Sequence, residues 1–232
     1  MQKQVLLNKI QYAIVRSLFL KDAQRFTELN QDSIANDHFS YHIRTLIGNG
    51  YIYKDSEGKY HLTTTGRTSA TLLKNDESSY VNQGFVACRV VLTRERNGEK
   101  QYLLQRRTAV PYMGSYAEPG GKIIWGEPVL QSAHRNMLEQ TGLDCDLEIK
   151  GQVHIIDDFE NEVVQDKYFY VIKATNPKGT LKEFGSTGVN VWMSEKEVKS
   201  NPKVLHAVQL IGEIADSPTY RFEETIYYPD EY

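Results

Sequence analysis

Cysteine is scarce in this chain: Cys88 and Cys145 stand alone among 232 residues. They form no CxxC pair and belong to no His/Cys cluster at metal-ligand spacing, which excludes a disulfide framework and a structural zinc site. Both read as small buried hydrophobes. Long apolar runs are missing too. The longest, 84–88 and 90–92, are a few residues each, against the roughly 20 needed to cross a bilayer. The first residues lack the apolar centre and small-residue cleavage site of a secretory signal, so the expectation is a cytoplasmic protein with no membrane partner. Strong charge of one sign is also absent. The net charge is -3, which excludes bulk attraction to nucleic acid. Residues 1–78 are net +2 and the remainder -5, a small asymmetry that leaves room for a local DNA surface. There is no internal repeat and no low-complexity tract.

What is present is ordinary globular composition, 40% hydrophobic and 25% charged, on a chain long enough for two modest domains. The polar run 74–79 reads as a boundary. Before it the pattern is helical. Residues 5–20 place Leu6, Ile10, Ala13, Ile14, Leu18 and Phe19 near helical spacing, and a short helix fits 26–31. A third helix fits 33–49, capped by Asn36 or Asp37, with Phe39, Ile43, Leu46 and Ile47 on one face and Gly48-Asn49-Gly50 at its end. Next, Tyr51-Ile52-Tyr53, the turn 55–58 and Tyr60-His61-Leu62 make a β-hairpin signature. Three helices and a hairpin, with Leu62-Thr63-Thr64-Thr65-Gly66-Arg67 opening a further helix, resemble prokaryotic winged-helix DNA-binding domains over residues 1–76.

That resemblance implies DNA as a partner. The third helix would hold itself to its domain through Phe39, Ile43 and Leu46 and offer Asn36, Ser40, Tyr41 and Arg44 outward. Arg44 suits guanine or phosphate and Asn36 suits adenine, while Lys54 and Lys59 of the wing suit the sugar-phosphate backbone. His38, His42 and His61 have no carboxylates at ligand spacing and read as surface or packing residues.

Beyond the boundary, strands fit 84–94, 101–107, 147–156, 168–174 and 189–193, and helices fit 194–199 and 205–216. Between the second and third strands lies the most informative stretch. Pro119-Gly120-Gly121, Gly126-Glu127, Arg135, Glu139 and Thr141-Gly142-Leu143 follow one another on a loop leading into a helix. This order resembles the signature box of the Nudix hydrolases, which cut nucleoside diphosphates linked to another moiety. The expected fold class is therefore α+β: an N-terminal winged helix-turn-helix followed, over 80–217, by a Nudix-type α/β/α sandwich with a mixed sheet. Residues 218–232, aromatic and acidic, read as an arm or edge strand on that domain.

Cutting a pyrophosphate needs a divalent cation, a positioned water and a base, and Mg²⁺ prefers carboxylate and water oxygens. The resemblance assigns Glu127, Glu139 and the backbone of Gly121 to metal and Glu127 and Glu139 to catalysis. Two positions where the family carries glutamates hold Asn136 and Gln140. Amides bring no charge and cannot act as a base at neutral pH. Losing two charges about 4 Å from a cation removes on the order of a few kcal/mol of attraction each, so weak Mg²⁺ or Mn²⁺ binding is the expectation. Glu118, Asp144 and the acidic run 157–162 are candidate replacements, although that run reads first as a solvated β-turn. Arg106, Arg107, Gly120, Gly121 and Arg135 are candidate ligand contacts, Arg135 also pairing with the box glutamates by resemblance. Two readings follow. One is a transcriptional regulator, plausible as a homodimer, whose Nudix-like part senses a nucleotide or ADP-ribose-type metabolite. The other is a working metal-dependent hydrolase with an accessory winged helix.

Overall fold

The computed structural model describes residues 7–30, 33–70 and 83–229. The boundary run 74–79 and Leu6 lie outside them. The chain divides into two compact units, Met1–Asn82 and Gln83–Tyr232. No helix among the described residues is long and apolar enough to cross a membrane.

In the first unit, α1 (Lys9–Leu20) begins at Asn8, whose side chain accepts from the Gln11 amide while Gln11 Oε1 accepts from the Asn8 amide. This reciprocal box satisfies two amides that the helix cannot. Tyr12, Ile14, Val15 and Leu18 are buried, whereas Ala13 and Phe19 are exposed, contrary to the expected face. At 100° per residue Ala13 lies across the helix from the stripe of Ile14, Val15 and Leu18, and Phe19 lies on its flank. After α2 (Phe26–Leu29), α3 (Asn36–Gly48) is capped by Ala35 with no side-chain bond. Neither Asn36 nor Asp37 is the cap, because both are already inside the first turn. Phe39, Ile43 and Leu46 are buried as expected, with Phe39 edge-on to Phe26 at 5.1 Å, but Ile47 is exposed. Strands β1 (Ile52–Lys54) and β2 (Tyr60–Leu62) pair antiparallel across a turn in which Asp55 Oδ1 accepts from the amides of Glu57 and Lys59. Helix α4 (Thr64–Ala70) closes the unit. This is the α-helical and hairpin arrangement of a winged helix.

The second unit contains β3 (Phe85–Arg96), β4 (Glu99–Arg107), β5 (Tyr116–Ala117), β6 (Gly120–Lys122), α5 (Val129–Thr141), β7 (Leu143–Phe159), β8 (Glu162–Gly179), β9 (Gly188–Ser194), α6 (Glu195–Ser200), α7 (Ala207–Asp216) and β10 (Arg221–Tyr227). The sheet order is β10-β7-β8-β3-β4-β5, with β6 on β3 and β9 on β4. It is mixed: β10 runs parallel to β7 and β8 parallel to β3, while the other pairs are antiparallel. Within the expected arm, Arg221–Tyr227 thus contributes an edge strand to this sheet.

Successive side chains of a strand point to opposite faces, and the long strands exploit this. Cys88, Val90 and Leu92 pack with Ala133 and Met137 of α5 on one face; Ala87 and Val91 pack with Ile211, Ile214 and Ala215 of α7 on the other. The acidic run is not a solvated turn. Strand β7 continues through Asp157, which is fully buried, and only Glu160 and Asn161, both at positive φ, form the turn.

Candidate functional site

The glycine pair of the box lies within strand β6, paired antiparallel with β3 so that Cys88 faces Gly121 and Arg89 faces Gly120. A Cβ on Gly120 would stand 2.1 Å from the Cys88 carbonyl oxygen, and one on Gly121 would stand 2.6 Å from Asn136 Oδ1. Only glycine fits at either place. Their backbone is engaged inside the protein rather than turned toward a phosphate. The Gly120 amide donates to Gln140 Oε1 at 3.1 Å, its carbonyl accepts from Gln140 Nε2 at 2.8 Å, and the Gly121 carbonyl accepts from the Cys88 thiol at 3.6 Å.

Asn136 and Gln140 are buried on the face of α5 that meets β6. Asn136 Nδ2 donates to the Ser132 carbonyl at 2.8 Å, and Asn136 Oδ1 accepts from Gln140 Nε2 at 3.2 Å. Every polar atom of both amides has a partner. Two carboxylates at these positions would repel each other and the Gly120 carbonyl unless a cation lay between them; the amides tie α5 to β6 without one.

Arg135 sits at the flank of the same helix. Its Nε and Nη2 each lie 2.8 Å from a Glu127 oxygen, and its Nη1 lies 3.6 Å from Glu139. This fork holds the Glu127 carboxyl well below the usual carboxylate range, at about 2. Arg135 is committed to holding the loop on the helix, so its expected role as a ligand contact is not supported by its geometry. Glu139 is more than half exposed and turned away from the buried Asn136 and Gln140, so the three positions do not converge.

A family cation therefore does not fit the donors present. The two remaining box carboxylates share one guanidinium, and the two amides are consumed by backbone. Among the described residues no group of three or more His, Cys, Asp or Glu side chains could hold a metal ion. The candidate replacements lie elsewhere. Asp144 pairs with His134 at 2.9 Å on the surface. Glu118 and Asp157 lie on the α7 face of the sheet, across from the amides.

There they line a cleft with Arg89, Lys167, Phe169, Tyr112, Tyr227 and the start of α7. Asp157 Oδ2 accepts from Lys167 Nζ and from the Tyr112 hydroxyl. Burial lowers the Lys167 pKa against that pairing. Arg89 Nη1 donates to the Glu118 carbonyl at 3.1 Å, and its guanidinium covers the Phe169 ring at 4.6 Å. Burial pushes the Glu118 carboxyl up to about 7, opposed in part by Arg89. Arg107 donates to the Pro111 carbonyl at 2.9 Å and adds positive charge near Arg89 and Lys167. Arg106, one residue earlier, is exposed on the opposite strand face, so the two arginines do not act together. Sequence reading missed Arg89 and Lys167. Arg89 interrupts the apolar run 85–92, and that was the available signal; Lys167 follows Gln165 and Asp166 and left none.

In the first unit Asn36, Tyr41 and Arg44 are exposed along α3, and Ser40 is half-buried. Arg44 Nε rests 3.3 Å from the Ser40 carbonyl. Lys54 is exposed, its ammonium 5.3 Å from the Tyr60 ring centre, whereas Lys59 is paired with Glu57 at 2.8 Å. The histidines are better partnered than expected. His61 bridges Asp55 at 2.9 Å and Asp22 at 3.2 Å, which raises its pKa despite burial; the contact to Asp22 spans 39 positions and left no local pattern. His42 is buried and meets His38 at 3.1 Å.

A model of the NUDIX domain matches residues 85–211, more than half of the chain and the whole span from β3 into α7. No curated protein matches it. Among solved structures, the mutator MutT protein of Bacillus halodurans is similar with a TM-score of 0.52 at 23% identity, covering 64% of this chain and 93% of that one. The NUDIX domain of Shewanella oneidensis NrtR, complexed with ADP ribose, is similar with a TM-score of 0.50 at 18% identity, covering 66% and 96%. At these identities the likeness is one of fold. With the family model running from β3 through the box and α5 into α7, this chain belongs to the Nudix family.

Proposed function

We propose that this protein is a cytoplasmic, DNA-binding transcriptional regulator whose Nudix domain binds a nucleotide or nucleotide-sugar metabolite of the ADP-ribose type and hydrolyses it weakly or not at all. The observation that carries this reading is the pair of buried amides, Asn136 and Gln140, closed onto Gly120 where a cation-binding site would need carboxylates. Removing a base alone costs about 10²- to 10⁴-fold in rate. A cleft that keeps charged and aromatic side chains without that machinery suits recognition. The similar NrtR domain is complexed with ADP ribose, which names the first ligand to try.

The winged-helix unit supplies the output. Asn36, Tyr41 and Arg44 stand exposed on α3, and Lys54 on the wing, in keeping with base-edge and backbone contacts. In a homodimer, ligand binding would alter the spacing of two such helices and so the affinity for an operator.

The test is to incubate the purified full chain with nucleoside diphosphate derivatives, ADP-ribose among them, with Mg²⁺ or Mn²⁺, following products and thermal unfolding together. Ligand binding to the native state raises the melting temperature; a rise without product is expected. Robust turnover abolished by Glu139→Gln would establish the hydrolase reading instead.

A further inference from the structure

On the α7 face of the sheet, a cavity of about 40 Å³ lies between β7, β8, β3 and the first turn of α7. Its hydrogen-bonding capacity is lopsided. The cations around it each hold an acceptor of the protein: Lys167 the Asp157 Oδ2, Arg89 the Glu118 carbonyl, with its guanidinium over the Phe169 ring, and Arg107 the Pro111 carbonyl. One acceptor is left unpaired. Asp157 is fully buried, and its Oδ1 has no hydrogen-bond partner among the described residues. Leaving such an atom unpaired costs more than a typical hydrogen bond contributes. Glu118, 4% exposed, lines the same cavity. The remaining wall is Ile155, Phe169, Val208 and Ile211, with Tyr227 and His206 stacked at 5.3 Å beside it.

We propose that this cavity is a subsite for an uncharged, donor-bearing edge of the ligand, hydroxyl or amino groups on a ring, received by Asp157 Oδ1 and the Glu118 carboxyl. The proposal rests on the reading of this domain as a nucleotide sensor and specifies which part of the ligand enters here. A hydroxyl or amino group would complete the open valence of Asp157. The volume admits a few heavy atoms, since one water needs roughly 10–15 Å³, so one edge of a ring fits.

Glu118 gives the subsite a second signature. Its surroundings are Arg89 from β3, Arg107 from β4, Asp157 from β7, Lys167 from β8, Tyr112 from the loop before β5, His206 at the start of α7 and Tyr227 from β10. With its pKa raised to about 7 by burial, the carboxyl is partly protonated near neutrality. A ligand donating to it selects the carboxylate and releases a proton.

Titration calorimetry on the full chain tests this with adenosine, D-ribose, pyrophosphate and ADP-ribose, in buffers of different ionisation enthalpy. Adenosine or ribose is expected to bind with buffer-dependent heat. Glu118→Gln should weaken that probe and ADP-ribose about tenfold or more and remove the buffer dependence. Binding by ribose assigns the subsite to hydroxyls; binding by adenosine without ribose assigns it to the amino-bearing ring. Asp157→Asn, accepted only if its melting temperature shows a folded protein, should weaken the same probes. If ADP-ribose binds and neither variant changes its affinity, the subsite is wrong while the sensor reading stands. Failure of all four probes to bind overturns the sensor reading and the subsite with it.

Discussion

Gln140 is the residue on which the box has been rebuilt. Its amide supplies both a donor and an acceptor to one glycine of the neighbouring strand and a second donor contact to Asn136, a combination no carboxylate can make. Gln140→Ala would leave the half-buried Gly120 amide and carbonyl without their side-chain partner, at about 1 kcal/mol for each bond; urea unfolding should show that loss with an unchanged denaturant slope. Gln140→Glu should destabilise as well, since the new carboxylate would face the Gly120 carbonyl. A Gln140→Ala variant as stable as the parent would remove the amide bridge from the account. The substitutions themselves were plain in the sequence, because Asn136 and Gln140 interrupt a recognisable motif. The bonds of Gln140 to Gly120 were not, since that partner lies 20 positions away in a strand of three residues whose glycines read as a loop.

At the scale of elements, β10 is attached to the sheet edge by parallel pairing with β7 and by a side-chain clasp. His154 of β7 lies 2.6 Å from Glu224 of β10 and 2.8 Å from Asp166 of β8, stacked on Tyr168 at 3.9 Å. Burial disfavours the imidazolium, but the two carboxylates outweigh it and hold the pKa above the usual histidine value. A raised folded-state pKa means that this clasp stabilises fully below about 6.5, the unfolded value, and is lost as pH rises through the elevated folded value. Melting temperatures measured from pH 6 upward should therefore fall more steeply for the parent than for His154→Gln; parallel curves would show that the clasp contributes nothing. The long elements were legible. Helices α1, α3, α5 and α7 follow from apolar spacing, and β3, β4, β8 and β9 from apolar strands with turn residues between them. The short β5 and β6 were not, because two or three residues carry no period, and β10 was visible only as an aromatic, acidic segment. Strands β7 and β8 ran well past their expected ends because a hairpin continues wherever backbone can pair, regardless of side-chain hydropathy.

For the whole molecule, two compact units pair a winged-helix unit with a Nudix unit whose box no longer suits a cation. DNA binding, if carried by α3, should be salt-dependent, with Arg44→Ala weakening it and, where Arg44 meets phosphate, reducing the salt slope by about one. Electrophoretic retardation across a salt series reads this; binding indifferent to Arg44→Ala and to salt would move the DNA surface elsewhere. The organisation was legible because both motifs are local in sequence. The cleft was not, because Arg89, Glu118, Asp157 and Lys167 come from four separate segments. The central claim is that buried amides replace a cation in joining α5 to β6. Its most direct measurement is thermal unfolding, with and without millimolar Mg²⁺, of the parent and of the double variant Asn136→Glu/Gln140→Glu. The parent melting temperature is expected to be indifferent to Mg²⁺, whereas the double variant is destabilised without the ion and recovers when it is added. A parent stabilised by Mg²⁺ as strongly as the double variant would contradict it.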